Sequence, residues 1–273
     1  MRLIAAVATA ALALSLPLRA AAQEGEVRPP FVTTPTDAVS SMLRFAGTGP
    51  GDLVVDLGSG DGRIVIAAAR EFGARALGIE LDPRLVEKSR ENARAAGVGD
   101  RASFVQGDVL RTDFSQASVV TVYLLPQLIN QLQPKFLDGL RPGTRVVSHA
   151  FTMTGWKPDR SETMRVSAEH RGQGDSSTFF LWIVPAKARG TWESSGEGGR
   201  WRLRIAQNFQ ELEVEEASLN GHALREPSAT LRGSTLRWEA PGLVFEGQVE
   251  GDRISGTLTL DGARAPLVLT RKP

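Results

Sequence analysis

No cysteine occurs among the 273 residues. That excludes disulfides, thiolate zinc sites, iron–sulfur ligation and a cysteine nucleophile. Histidine is scarce too: the three residues, at 149, 170 and 222, are too scattered for a metal cluster, and no metal is expected. Tyr123 is the single tyrosine. Net charge is nearly absent, with 32 Lys+Arg against 31 Asp+Glu and a formal value of +1. Arg outnumbers Lys 27 to 5, but no block of positive charge stands out, so no nucleic-acid partner is expected. What remains is an ordinary globular composition, 41% hydrophobic and 23% charged, able to bury a core. At ~100–200 residues per domain, the length allows one large domain or two modest ones.

Residues 1–22, MRLIAAVATAALALSLPLRAAA, read as an address. A basic start with Arg2 precedes an apolar run from Leu3 to Leu16; Pro17 breaks it, and Ala20-Ala21-Ala22 supplies a small-residue cleavage site. As a helix the run spans roughly 21 Å, short of a ~30 Å hydrocarbon core. The expectation is a cleaved secretory signal and an exported protein, periplasmic or secreted; the alternative is a membrane anchor through residues 3–16. Removing residues 1–22 takes away Arg2 and Arg19 and no acid, which moves the net charge from +1 to −1.

From a short Pro-containing lead (Arg28–Phe31) to about Pro185, helical and strand patterns alternate. Apolar runs at Leu53–Leu57, Ala76–Ile79, Ser103–Val105, Val119–Leu125, Arg145–Ala150 and Thr178–Val184 predict buried strands. Helices are predicted at Pro35–Phe45, Arg63–Phe72, Pro83–Ala96 and Gln127–Leu140. The alternation means βαβ units and a mostly parallel, doubly wound α/β sheet. From Gly190 the period changes to two, and turn pairs recur at Asn220-Gly221, Arg232-Gly233 and Asp261-Gly262. This predicts seven or eight short antiparallel strands, folded as a small barrel or sandwich, with the boundary near Pro185–Gly190. The domains expected are thus 23–185 and 186–273. An aromatic stripe of Trp201, Phe209, Trp238 and Phe245 would fill the second core.

The stretch Val54-Val55-Asp56-Leu57-Gly58-Ser59-Gly60-Asp61-Gly62-Arg63 is the most informative. It reads as strand, tight glycine loop, then helix, placing a helix N-terminus and bare amides against a ligand. The glycines fall as G-x-G-x-G, and Arg63 stands where a dehydrogenase fingerprint has its third glycine. Twenty residues past Gly60 the next strand ends in Glu80, able to accept from both hydroxyls of a ribose. A third acid, Asp108, follows the next strand. Three successive strand ends therefore carry an acid on the edge where doubly wound sheets bind ligands.

This pattern resembles the class I S-adenosylmethionine-dependent methyltransferases over roughly residues 28–185. The resemblance implies a Rossmann-like, seven-stranded sheet and S-adenosyl-L-methionine as cofactor. It implies that Gly58 and Gly60 let the backbone approach the methionine part, that Glu80 holds the ribose, and that Asp108 with the Val109 amide frames the adenine; Asp56, Ser59 and Leu81 are further cofactor-binding candidates. A narrower resemblance, carried by Pro30-Phe31-Val32-Thr33-Thr34-Pro35, DLGSGDGRIVIAAA, GIELDPRLVEKSRENARAAGV, VTVYLLPQL and Trp156-Lys157-Pro158, is to the mitochondrial protein-lysine methyltransferases, which modify membrane proteins such as the ATP synthase c subunit and the adenine nucleotide translocase. It implies that Thr33 and Thr34 fold over the methionine end; capping the following helix is the plainer role for either.

Methyl transfer from a sulfonium is an in-line displacement, so the chain supplies alignment and a dry pocket. A lysine acceptor must lose a proton from a reference pKa of ~10.4, and an apolar slot helps by disfavouring the ammonium. The strand end Tyr123-Leu124-Leu125-Pro126 lies where an acceptor would sit, and it lacks the Asn/Asp-Pro-Pro-aromatic motif of amide-nitrogen methyltransferases. Tyr123, Leu125 and Pro126 are the candidate acceptor wall, with His149 at the rim. The function expected is N-methylation of a lysine or other amine of a protein. Alternatives are a small-molecule methyltransferase and an exported, non-catalytic cofactor- or ligand-binding protein.

Overall fold

The computed structural model describes residues 34–170, 174–194 and 199–273, with the backbone alone at 167–170. The expected signal at 1–22 and Thr33 lie outside the described residues.

Strand β1 (Leu53–Leu57) is LVVDL, and its last four residues are buried, as a central parallel strand requires. It pairs in parallel with β2 (Arg75–Glu80) and with β4 (Val119–Val122), which follows β3 (Ala102–Gln106) in the chain. β3 lies beyond β2, and β5 (Arg145–His149) beyond β4, all in parallel. β6 (Arg160–His170) and β7 (Gly174–Ile183) complete a seven-stranded sheet of order β3-β2-β1-β4-β5-β7-β6, with β7 antiparallel to both neighbours. β6 has no counterpart among the predicted runs. It pairs on one side only, and RSETMRVSAEH lacks the continuous apolar stretch of a buried strand.

Helices α1 (Thr36–Phe45), α2 (Arg63–Phe72) and α3 (Pro83–Ala95) cover one face, where Met42, Leu43, Val65 and Val86 pack on Val54, Phe104 and Val119. Helix α4 (Pro126–Gly139) covers the other, where Ile129, Leu132 and Phe136 join Trp156 and Trp182. Glycines bracket α2: Gly62 (φ +83°) precedes it and Gly73 (φ +66°) ends it. α3 begins with Pro83, and Asp82 caps it by accepting from the Arg84 amide at 2.9 Å.

The remaining strands are β8 (Gly190–Ser194), β9 (Trp201–Asn208), β10 (Glu211–Leu219), β11 (His222–Ala223), β12 (Ser228–Arg232), β13 (Thr235–Ala240), β14 (Leu243–Glu250), β15 (Arg253–Leu260) and β16 (Ala263–Arg271). They form one antiparallel sheet of order β11-β10-β9-β8-β16-β15-β14-β13-β12. This corrects the expected seven or eight strands: there are nine. The sheet curls around a core of Trp192, Trp201, Leu236, Trp238 and Phe245, and hydrogen bonding leaves β11 and β12 as its edges. The curl brings β10 beside β12, so the expected small antiparallel all-β domain is one sheet wrapped on itself. Asn220-Gly221 (φ +52°, +83°) and Asp261-Gly262 (φ +48°, +84°) make the tight turns that their sequence predicts.

Both sheets lie within one compact unit, Phe31–Pro273. The Ala186 amide donates to the Gly233 carbonyl at 2.8 Å, and a Cβ on Gly233 would lie 2.9 Å from the Gly143 Cα. Phe209 departs from the expected stripe. It packs into the core of the first sheet, on Trp156, rather than into that of the second.

Candidate active site

The ends of β1, β2 and β3 bring the three acids to one edge of the first sheet. Gly58, Gly60 and Gly62 all have positive φ (+77°, +55°, +83°), a conformation that side chains resist. The chain therefore turns three times within five residues and presents bare backbone. Its amides are not bare, which corrects the expectation. Gly58 and Ser59 both donate to the Ile79 carbonyl (2.9 and 3.0 Å), and Gly60 donates to Glu80 Oε2 at 2.9 Å. Glu80 Oε1 accepts from the Asp82 amide at 3.0 Å. The loop is thus fastened to the end of β2 by the same carboxylate that was expected to face a ligand. Each carboxylate oxygen keeps further acceptor capacity.

Ser59 is turned away from the cleft. Its hydroxyl is buried with no hydrogen-bond partner, where a Cβ on Gly78 would come within 2.5 Å of it. Asp56 is buried at the floor and accepts from Thr121 Oγ1 at 2.6 Å. Burial, with smaller contributions from the nearby Glu80 and Asp61 charges, pushes its carboxyl up to about 7 from 3.8, against the pull of the Thr121 hydroxyl. Asp108 Oδ1 accepts from the Leu110 amide at 2.9 Å, closing a turn after β3. Val109 buries its side chain in the core, so only its backbone can reach a ligand.

Sequence reading passed over Lys135. From α4 its Nζ donates to the carbonyls of Val109, Leu110 and Thr112 (3.3, 3.2 and 2.5 Å) and lies 4.7 Å from the Phe114 ring centroid. It pins the turn after Asp108 to α4. A helical lysine carries no such signal in sequence.

Apolar groups crowd this edge. Of the five exposed large hydrophobic side chains among the described residues, Leu81, Val105, Leu110 and Leu125 belong to the ends of β2, β3 and β4. An apolar rim beside the Glu80 carboxylate suits a planar base.

Tyr123, past the end of β4, has its ring centroid 4.3 Å from that of His149 and is stacked on Phe151 at 6.2 Å and 17°. Partial burial holds its phenol above its ordinary pKa, so it stays protonated at neutral pH. Leu124 reaches the glycine loop: a Cβ on Gly58 would meet its Cδ2 at 2.7 Å. Leu125 and Pro126 open α4. His149 is fully buried, with Nδ1 3.2 Å from Thr34 Oγ1 and Nε2 3.1 Å from Ser177 Oγ. Thr34 does not cap α1, whose N-cap is Pro35 with no side-chain bond. Its carbonyl accepts instead from Arg63 Nη1 at 2.8 Å, and Arg63 grips Asp61 through two nitrogens (2.9 and 2.6 Å). The segment before α1 is thereby tied both to the glycine loop and to the acceptor side.

A family profile, the ANTKMT methyltransferase domain, matches residues 56–160. A protein-lysine N-methyltransferase of Saccharolobus islandicus (strain REY15A) is 44% identical over 156 residues, covering 57% of this chain and 93% of that protein. The chain belongs to this family of class I S-adenosylmethionine-dependent methyltransferases. The Mus musculus adenine nucleotide translocase lysine N-methyltransferase is 37% identical over 130 residues, 47% of this methyltransferase and 56% of its relative. The chain therefore spans about half the length of that relative. Among solved structures, an RNA methyltransferase from Salinibacter ruber in complex with S-adenosyl-L-homocysteine is 47% identical with a TM-score of 0.51, covering 57% of this chain and 95% of that one.

The protein is an S-adenosylmethionine-dependent methyltransferase, and its residues fit that cofactor. Glu80 offers a carboxylate for a diol, Leu81 and Leu110 an apolar bed for a base, and the glycine turns a side-chain-free approach. Amides locked to β2 suit a ligand without a pyrophosphate, the group that helix N-termini hold in dinucleotide sites.

Proposed function

We propose that this methyltransferase N-methylates a lysine or other amine of a protein. The observation that carries the reading is the neutral, aromatic-lined strand end at Tyr123, Phe151 and Leu125, adjoining the glycine loop through Leu124. A protonated phenol and apolar neighbours disfavour an ammonium, so an amine entering there gives up its proton more readily than in water. With that proton released to solvent, the neutral amine would have the lone pair that attack on an electrophilic methyl group requires. Glu80 would hold the ribose hydroxyls, and Leu81, Leu110 and the Val109 amide the adenine. Thr34, Gly58 and Gly60 would close over the methionine end. The bound cofactor supplies the methyl group; Tyr123, Leu125 and Pro126 orient the acceptor and exclude water.

A protein acceptor is supported by the names of the Saccharolobus and mouse relatives. The test is transfer of tritiated methyl from S-adenosylmethionine to poly-L-lysine and to a cell extract fractionated into protein, RNA and small molecules. Label in protein, recovered as methyl-lysine after hydrolysis, is the expected result. Label confined to RNA or to small molecules would overturn it. Export with cleavage before Gln23 forms part of the same proposal, and the N-terminal mass of the protein expressed from its own start decides it.

A further inference from the structure

The turn between β9 and β10 carries the second sheet to the segment that follows β5. Phe209 lies there in the left-handed region (φ +54°), which a bulky aromatic adopts only under constraint. Gln207 Nε2 donates to its carbonyl at 2.7 Å and helps hold the turn. The Phe209 ring stacks on Trp156, with centroids 5.7 Å apart and planes 9° from parallel. The next residue, Gln210, uses both ends of its amide. Its Oε1 accepts from Trp156 Nε1 at 2.8 Å, and its Nε2 donates to the Lys157 carbonyl at 2.7 Å.

Trp156 is buried and stands in the segment between β5 and β6, at the edge that carries the site. Its own carbonyl accepts from Trp182 Nε1 at 2.9 Å. The same segment begins with Phe151, the residue stacked on Tyr123, and is held midway by α4: the Thr154 amide donates to Asn130 Oδ1 at 2.8 Å. The first sheet and α4 hold it elsewhere too: the Ala150 amide donates to the Thr178 carbonyl at 2.8 Å, Ser148 Oγ to the Phe151 carbonyl at 2.7 Å and Gln133 Nε2 to the Thr154 carbonyl at 3.2 Å. The ties to the Trp156 ring and the Lys157 carbonyl come from a turn some fifty residues downstream, in the added sheet.

We propose that Phe209 and Gln210 are positioning residues for methyl transfer: they hold Trp156 and so set the segment 150–158 that places Phe151 against Tyr123. The bonds of Glu80 and Asp108 among the described residues run to Gly60, Asp82, Leu110 and Arg111 and not to this turn, so the effect falls on the acceptor side. The proposal rests on the reading of Tyr123 and Phe151 as the acceptor wall.

The test uses the full chain with Phe209→Ala and Gln210→Ala, and with Phe209→Tyr as the conservative rescue. Peptide-level hydrogen exchange over 150–158 should accelerate by about tenfold in both alanine variants, while 54–62 stays at the wild-type rate. Affinity for S-adenosylmethionine, by calorimetry, should stay within about twofold. With poly-L-lysine as acceptor probe, the KM should rise by roughly fivefold or more with kcat little changed, and Phe209→Tyr should restore it. Unchanged exchange at 150–158 would overturn the proposal. So would acceleration throughout the first sheet with a parallel loss of cofactor affinity, which would make the turn a general prop. Faster exchange with an unaltered KM would overturn it too. A wild-type enzyme that leaves poly-L-lysine unlabelled would defeat the amine reading, and the exchange measurement would still decide the positioning.

Discussion

Glu80 accepts from the amides of Gly60 and Asp82, one on each carboxylate oxygen, and each oxygen keeps acceptor capacity for a ligand. Replacing it by alanine removes a charged acceptor worth about 1.5–3 kcal/mol, so cofactor affinity should fall roughly tenfold to a hundredfold by calorimetry. Unchanged affinity in a folded Glu80→Ala protein would remove it from the site. Asp56 adds a pH dependence. Its folded value of about 7 lies above the unfolded 3.8, so between those values the native state keeps a proton that the unfolded chain has released. Its contribution to stability is present in full below the lower value and is lost as pH rises through 7. Melting of the ligand-free protein should therefore decline more steeply from pH 5 to 8 in the wild type than in Asp56→Asn. A cationic cofactor beside this carboxyl would favour its ionised form, so binding near neutrality should release a proton. Calorimetry in buffers of different ionisation heat would register it.

At the scale of elements, β1 and α2 follow their predicted limits residue for residue, because their signals are local: a run of branched apolar residues, and a glycine at each end of a helix. Predicted β4 ran on to Leu125, but the strand stops at Val122. Tyr123–Leu125 turn out of the sheet so that Pro126 can open α4. Lys135 shows what such local signals omit. Its three carbonyl partners sit 23–26 residues earlier in the chain, in the loop after β3. Lys135→Met keeps the length and removes the donors. Cofactor affinity should drop about threefold to tenfold through a loosened Asp108 turn, since each lost bond to a charged group is worth about 1.5–3 kcal/mol and α4 will relax in part. Wild-type affinity in this variant would show that the turn holds its shape without the lysine.

For the whole molecule, the open question is how far the first sheet depends on the second. A truncated chain of residues 23–188 would keep Asp56, Glu80 and Asp108 and lose Phe209, Gln210 and the Gly233 contact. It should bind S-adenosylmethionine within about threefold of the full chain, because among the described residues the hydrogen bonds of Asp56, Glu80 and Asp108 all stay within the first sheet and its loops. It should melt lower by roughly 4–8 °C, since uncovering Trp156 forfeits a stacked ring and a half-buried hydrogen bond worth about 2 kcal/mol together. A fragment that is folded by circular dichroism but does not bind would place part of the second sheet in the cofactor pocket.

The glycine loop, the acids at successive strand ends and the change of period near Gly190 were all legible in the chain, because each is a pattern over a few residues that backbone geometry dictates. The same patterns carried the cofactor class. The linear chain could not show that the loop amides are consumed by Ile79 and Glu80, that Ser59 faces inward, or that Thr34 bonds His149 rather than capping a helix. Nor could it show Phe209 leaving one core for another. Each of these joins residues 20 to 115 positions apart, or depends on which side of a strand end is free. Long-range packing settles such matters, because a buried donor or ring takes whatever partner the assembled fold brings within reach.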